Sequence, residues 1–519
     1  MSQDVLINVN PFETRVALLE QGMLQEVHLQ RASGPGVTGN VYLGRVVRVL
    51  PGMQAAFVDL GLDRPGFLHV KDVRGAHWPD LEEPRAAGTA VPGIEQVLAE
   101  GEPVLVQVAK DPISGKGARL TTHVALPSRY LVLMPFTSQV GVSQRIEDEA
   151  ERERLRAVVE ALREATAAPC GGCIVRTVAE GAAEDALAAD LAFLQRIWSR
   201  VDEQRRAAAA PALVYEELPV PVRVLRDLVG PGVDAIRIDA PETHARARRY
   251  VERFLPELRE RVLLHEEPVP LFERFGVEDE LARALEGRVP LRSGGHLVID
   301  QTEAMTTIDV NTGGFVGTHS HEETVYKTNL EAAAAIPRQL RLRNLGGIVV
   351  VDFIDMEDPE HQRDVLRVLD RSCEADPARI RVSGFSALGL VELSRKRTRE
   401  SLAHQLCEPC SCCAGRGFTR SPESVCFEVF RAILRDARSR EAAPPRSAYL
   451  VRAAPPVLDR LLDENAADLD ALAARVGLPI QLQLEPSCAV EHFELVLLQD
   501  VAGERRDGRA PGRAPGLGG

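Results

Sequence analysis

The chain has 519 residues, 45% hydrophobic and 27% charged, with a formal net charge of −14. That length exceeds what one hydrophobic core supports and implies three or more domains; the acidic balance argues against wholesale electrostatic binding to nucleic acid or membrane but leaves room for a local basic groove. No apolar run reaches the roughly 18 residues that span a bilayer, "MSQDVLINVN" lacks the features of a signal peptide, and nine clustered cysteines fit a reducing cytoplasm with thiolates kept for metal rather than a secreted disulfide framework.

Residues 4–30 alternate as three strands, "VLINVN", "TRVALLE" and "LQEVHLQ". Short strands broken by Gly and Pro over 37–70 predict a small barrel. A polar insert at about 74–100 precedes two more strand-like runs, "EPVLVQVAKD" and "ARLTTHVAL". From 147 the period becomes helical, in "EDEAERERLRAVVEALREATA" and "GAAEDALAADLAFLQRIWSRVDEQRRAAAA", with "GCIVRTV" as a strand between them. Pro211, Pro219 and Pro221 mark a boundary. Residues 285–400 hold two Asp-bearing strands with one helix between them and another after them. A cysteine cluster, a helix at 422–440 and a small α/β unit ending near Gln499 follow, and the composition of "GERRDGRAPGRAPGLGG" predicts a disordered tail.

The two Asp-bearing strands are "TTIDVNTGGF", 306–315, and "GGIVVVDFIDMED", 346–358. Asp309 and Asp352 each end an apolar run. On adjacent strands the two carboxylates would repel unless a cation lay between them. Carboxylates with the Asn311 amide suit Mg²⁺, which takes one or two protein carboxylates and steadies charge during attack on a phosphate. Spacing alone serves equally for two strand-end turn formers, and Asp355, Glu357 and Asp358 read as a solvated loop.

"LCEPCSCCAGRG", 406–417, holds Cys407, Cys410, Cys412 and Cys413. Cys410-x-x-Cys413 followed by Gly415 and Gly417 reads as a zinc knuckle, which supplies half of a tetrahedral site. The other half comes from Cys407 with another residue, from Cys170 and Cys173, or from a second copy of the chain. For Cys170 and Cys173 the simpler reading is packing at a turn.

"RQLRLRN" (Arg338, Arg341, Arg343) and "SRKRTRE" (Arg395, Lys396, Arg397, Arg399), with Arg379 and Arg381, lie near the carboxylate strands in sequence. They read either as a path for a polyanion or as solvated helix faces. Phe57 and Phe67 fall in the predicted barrel of a chain only 4% aromatic, and such barrels stack bases on exposed rings; packing in the core is the alternative. Arg176-Thr177 at a strand end offers a guanidinium fork and a hydroxyl to a phosphate.

Taken together, "GNVYLGRVVRVLPGMQAAFVDLGL", "DQTEAMTTIDVNTGGFVG", "TNLEAAAAIPRQLRLRNLGGIVVVDFIDMED", "GFSALGLVELSRKRTRESLAH" and the knuckle resemble the ribonuclease E/G family, its G branch in particular, over roughly residues 3–500. The resemblance implies an endoribonuclease that cleaves single-stranded, AU-rich RNA with Mg²⁺, leaves 5′-phosphate and 3′-hydroxyl ends and prefers a 5′-monophosphate. It implies work in the cytoplasm on the 5′ end of small-subunit (16S) ribosomal RNA precursor and in messenger RNA decay. It puts the metal-binding pair on Asp309 and Asp352, with Asn311 orienting phosphate or water, and the zinc link on Cys410 and Cys413. It puts the 5′-phosphate sensor on Arg176, Thr177, Val132 and Arg379, and the RNA contacts of the barrel on Phe57, Phe67 and Lys116. Two departures stand out: Ser128 occupies the place nearest a sensor glycine of the E branch, and Cys412 sits between the knuckle cysteines.

The implied architecture is a multidomain α/β chain. An RNase-H-like subdomain (1–35 and 221–284) receives an inserted OB-type RNA-binding barrel (36–124) and a 5′-sensor (125–220). A DNase-I-like catalytic domain (285–405), a zinc link (406–417), a small domain (418–500) and the tail (501–519) follow. Zinc shared across a twofold axis implies a homodimer, or a higher oligomer built from it; without the long scaffolding tail of the E branch, no large degradosome assembly is expected. Two other function classes compete with cleavage of RNA: a non-catalytic RNA-binding scaffold, disfavoured by the intact Asp309, Asn311 and Asp352, and a Mg²⁺ phosphatase or deoxyribonuclease, disfavoured by the barrel.

Overall fold

The computed structural model describes residues 2–32, 36–73, 92–112, 117–165, 171–230, 232–313, 321–396, 399–439 and 447–499. The chain forms two compact units, Met1–Gln405 and Leu406–Gly519. Lys116, Cys170, Arg397 and the tail lie outside the described residues, as does 74–91 of the polar insert. Among the described residues no helix is long and apolar enough to cross a membrane.

Among the described residues, the first unit is built on four sheets. In the first, Gln3–Val9, Glu13–Glu20 and Met23–Arg31 form an antiparallel meander, and Gln3–Val9 pairs in parallel with Val233–Ile238. Parallel pairing needs a crossover, and here the crossover holds two further sheets. Val5, Ile7, Val16 and Leu18 face the helices Val220–Asp227 and Pro241–Phe254, with the core completed by Leu225, Ile236, Ile238 and Val251.

The first inserted sheet is a closed five-strand barrel. Val41–Leu50, Ala55–Asp59, Gly66–His69, Arg119–Thr121 and Pro103–Lys110 pair in that order, and the last strand returns to the first. Period-2 alternation drives closure: Ala56, Val58, Leu68, Val106, Val108 and Leu120 are buried inside it. Ala212–Tyr215, after Pro211, adds a strand to the outside of Val41–Leu50. The second inserted sheet has four short strands in the order Val140–Val142, Gly172–Val175, Leu131–Met134, Leu126–Pro127. Its core is closed by residues of two amphipathic helices, Glu149–Glu164 and Glu184–Ala207.

The fourth sheet runs Arg288–Pro290, His296–Gln301, Met305–Asn311, Gly347–Asp352, Leu390–Arg395, Ile380–Phe385. One face is apolar and packed: Ile308, Val310, Val349, Val351, Val391 and Leu393 meet Ile336 and Leu340 of helix His321–Leu342 and Val365 and Leu369 of helix Pro359–Cys373. The other face is open, and Thr307, Asp309 and Asp352 are exposed on it.

Among its described residues the second unit holds a three-stranded sheet, with Ala448–Ala453 between Ile480–Leu484 and Phe493–Leu498, and three helices, Pro422–Ser439, Pro455–Leu462 and Ala466–Val476. Tyr449 is buried there and donates to Asp436 at 2.8 Å.

Candidate active site

The β-branched run Ile348–Val351 makes a strand parallel to Met305–Asn311, and its register sets Asp309 directly beside Asp352. In a parallel pair, residues in register project from the same face, so both carboxylates leave the open side of the sheet. Asn311, two residues on, shares that face and its Nδ2 donates to Asp309 Oδ2 at 2.7 Å. Close backbone approach shapes this corner: a Cβ on Gly295 would lie 2.6 Å from the Asn311 carbonyl oxygen, and Gly313, at φ +63°, has the Gly294 oxygen 2.7 Å from its Cβ position. The backbone after Asp352 is held by Asn329, whose side chain donates to Ile354 O at 2.8 Å and accepts from Ile354 N at 3.1 Å.

At the end of strand Gly172–Val175, Arg176 caps a short 3₁₀ turn, Thr177–Ala179. Its Nη1 donates to Ser128 O at 2.6 Å and its Nη2 to Asp227 Oδ1 at 2.8 Å. Thr177 shares a 2.8 Å hydroxyl bond with Ser143. Val132 lies on the neighbouring strand opposite Ile174. Arg379 is exposed and follows the helix Pro359–Cys373; two residues before it, Pro377 O accepts from Arg145 at 2.7 Å, which ties that loop to the segment after strand Val140–Val142.

In the barrel, Phe57 and Phe67 face each other across adjacent strands, with ring centroids 6.0 Å apart and planes at 68°. Both are half-buried on the outside of the wall, unlike their inward neighbours Ala56, Val58 and Leu68. His69 extends this surface, 6.5 Å from Phe67.

In the second unit, Cys407, Cys410 and Cys412 are exposed and Cys413 is half-buried. Backbone amides of Cys413 and Cys412 and the Cys413 side chain turn toward Cys410 and lower its thiol pKa from the ordinary value. The turn that allows this carries positive φ at Ala414, Gly415 and Gly417. Cys173, by contrast, is fully buried in the core under the four-stranded sheet.

Residues 125–398 match the Ribonuclease E/G family, and residues 409–498 match the RNase E/G, Thioredoxin-like domain. Ribonuclease G of Escherichia coli (strain K12) is 46% identical over 498 residues, 96% of this chain and 100% of that protein. The chain belongs to the ribonuclease E/G family. Ribonuclease G of Haemophilus influenzae is 44% identical over 95% of this chain and 99% of its own length. Ribonuclease E of the same organism is 36% identical over 94% of this chain, which covers 51% of that longer protein.

Most of the arginines expected to form a basic path or a solvated face in this family member do neither. Arg338 pairs with Glu280 at 2.7 Å, and Arg341 with Glu20 at 3.0 Å and Glu26 at 3.4 Å. Arg343 donates to Gln339 and to Glu286 O. Arg395 is buried against Asp376 at 2.8 Å, and Arg399 pairs with Glu26 at 2.7 Å. Only Arg379, Arg381 and Lys396 of the described set are exposed. Glu322, Asp358 and His361 also gather, their nearest ligand atoms within 4.8 Å of one another, with His361 stacked on Tyr326 at 4.0 Å; Asp358, expected in a solvated loop, caps helix Pro359–Cys373.

Both metals implied by the family fit the residues present. Asp309 and Asp352 offer hard oxygen donors side by side, which suits Mg²⁺. Cys410 and Cys413 offer soft donors on a knuckle turn whose amides favour thiolate, which suits Zn²⁺.

Proposed function

We propose that the chain is a Mg²⁺-dependent endoribonuclease acting on single-stranded, AU-rich RNA, stimulated by a 5′-monophosphate. Its work is in the cytoplasm, on the 5′ end of small-subunit ribosomal RNA and in messenger RNA decay. The observation that carries the reading is the in-register pair Asp309 and Asp352 on an open sheet face, in a chain 46% identical to a ribonuclease G over 96% of its length. The sheet and its two helices act as a DNase-I-like catalytic domain, the first sheet as an RNase-H-like subdomain, and the barrel as an OB-type RNA-binding module.

A bound magnesium ion supplies charge stabilisation on the reacting phosphate and acidifies water beside it. Asp309 and Asp352 hold it. Asn311, fixed by its bond to Asp309, orients the phosphate or the attacking water. Phe57 and Phe67, with Lys116, take the strand by stacking and charge, since a base gives up little sequence information to an aromatic face. Arg176 and Thr177, with Val132 and Arg379 beside them, receive the 5′-phosphate. Cys410 and Cys413 hold zinc jointly with the same pair of a second chain, so the protein works as a homodimer or a higher oligomer built from it.

The test is incubation of a 5′-monophosphorylated AU-rich RNA with wild type or Asp309→Ala, in Mg²⁺ or in EDTA. Cleavage to 5′-phosphate ends by wild type in Mg²⁺ alone is expected. Equal cleavage by Asp309→Ala, or cleavage in EDTA, would sink the assignment.

A further inference from the structure

Arg176 approaches its ligand side from a fixed mount. Its side chain is 23% exposed, and the two bonds that hold it come from separate parts of the fold. One is the Ser128 carbonyl at 2.6 Å. That carbonyl sits in a loop anchored by Asp190, only 1% exposed, which accepts from Ser128 Oγ at 2.6 Å and from the Tyr130 and Leu131 amides at 2.9 Å each. The other is Asp227, the last residue of helix Val220–Asp227. A guanidinium has five N–H donors, so two such bonds leave others for a phosphate.

Asp227 is itself clamped. Arg226 donates to both its oxygens, Nε to Oδ1 and Nη2 to Oδ2, each at 3.0 Å. Arg226 is buried, pairs with Glu217 at 2.9 Å, and its carbonyl accepts from Arg129 at 3.0 Å. Burial opposes ionisation of Asp227, but the hydrogen bonds and charge of Arg226, then of Arg176, outweigh it and keep the carboxyl below its ordinary range. Asp227 also lines a cavity of about 310 Å³ whose wall includes Pro377 and Ala378, next to Arg379.

We infer that Asp227 is a positioning residue for the 5′-monophosphate preference: it holds the Arg176 guanidinium in the orientation that receives the terminal phosphate. This rests on Arg176 being the sensor residue. Asp227 makes no contact with RNA in this scheme. It acts by sparing Arg176 the conformational freedom that a long side chain otherwise loses on binding.

The experiment measures kcat/KM for one RNA carrying either a 5′-monophosphate or a 5′-hydroxyl, with wild type, Asp227→Asn, Asp227→Ala, Arg176→Ala and the Arg176→Ala/Asp227→Asn double variant. Asp227→Asn keeps the shape of the side chain, so it decides the question if Asp227→Ala folds poorly by thermal melting. Both Asp227 variants are expected to cut the ratio between the two ends roughly tenfold, through KM of the monophosphorylated RNA. In the double variant the ratio should equal that of Arg176→Ala alone, because a residue acting through Arg176 has nothing left to orient. An unchanged or raised ratio in folded Asp227→Asn, with Arg176→Ala still erasing the preference, overturns the inference and leaves the sensor reading standing. A preference that survives Arg176→Ala overturns both.

Discussion

The fourth-sheet domain treats its carboxylates in two opposite ways. Asp376 has a side chain 2% exposed and gives both oxygens to Arg395, itself 4% exposed, at 2.8 and 3.2 Å. Asp309 and Asp352, on the same sheet's open face, stand side by side, and Asp309 accepts from the neutral Asn311 amide. Burying a charge without a partner costs several kcal/mol, so interior carboxylates are paired wherever they occur. A like-charged pair is tolerable only where water or a cation reaches it. The exposed pair is the one proposed for chemistry, while the buried pair holds the fold together.

That contrast predicts opposite signs for two substitutions. Asp376→Ala strands the buried Arg395 and removes the acceptor of Ala378 N, bonded at 2.7 Å. It should cost about 3–5 kcal/mol in urea unfolding of the first unit. An unchanged midpoint would mean that Arg395 finds other partners and that the pair is not structural. Asp309→Asn or Asp352→Asn should instead leave the midpoint unchanged or raise it, since it relieves repulsion, while the cleavage rate falls by ~10²-fold or more. If either variant unfolds early or turns over at wild-type rate in low Mg²⁺, the distinction between the two kinds of carboxylate fails.

The cysteines repeat the contrast in the second unit. Cys426, buried, has its thiol pushed up by burial, while the exposed Cys410 has its thiol lowered by surrounding amides. Cys410→Ser with Cys413→Ser should therefore abolish zinc binding, and wild type should carry about one zinc per two chains, because a two-cysteine knuckle fills half a tetrahedron. Sedimentation should find the double variant more often monomeric. Acid should release the ion, since binding requires deprotonated thiols. A full zinc on each monomeric chain would bring Cys407 or Cys412 into the site and remove the shared clasp.

What could be read from sequence follows the range of the interaction. Strands and helices were legible because their periodicity is local: the Asp309 and Asp352 strands, the barrel strands and the helix at 422–439 all appear where the pattern puts them. The side-by-side placement of the two aspartates needed only that neighbouring apolar strands pair. The arginines were illegible because their partners are remote. Arg341 bonds Glu20 from 321 residues away and Arg399 bonds Glu26 from 373 residues away, so clusters of like charge in sequence are spent on remote acids in space. Asn329 and Asp227 were missed for the same reason, since nothing near them in the chain announces Ile354 or Arg176.

The smallest expected effect lies in the seam that those arginines build, and it tests whether paired charge there is stabilising at all pH values. His28 Nε2 lies 3.0 Å from Glu26, which also meets Arg399 and Arg341. Burial lowers the His28 pKa from 6.5, and Arg399 and Arg223 add to that against the opposing pull of Glu26. Burial alone would raise Glu26, but its bond to His28 and the charges of His28, Arg399 and Arg341 hold it at about 2. Both groups bind fewer protons in the folded chain than in the unfolded one, so stability rises with pH through each window. The contribution from neutral His28 is complete above about 6.5 and drains away as pH falls below it. The Glu26 contribution persists down to about 4.5 and is lost toward 2. Thermal melting of the first unit should therefore weaken from pH 7 to pH 5. His28→Gln should flatten that stretch and keep the steeper fall below about pH 4.5. If His28→Gln keeps the wild-type slope between pH 7 and 5, His28 does not couple the seam to protons, and the fall belongs to other groups.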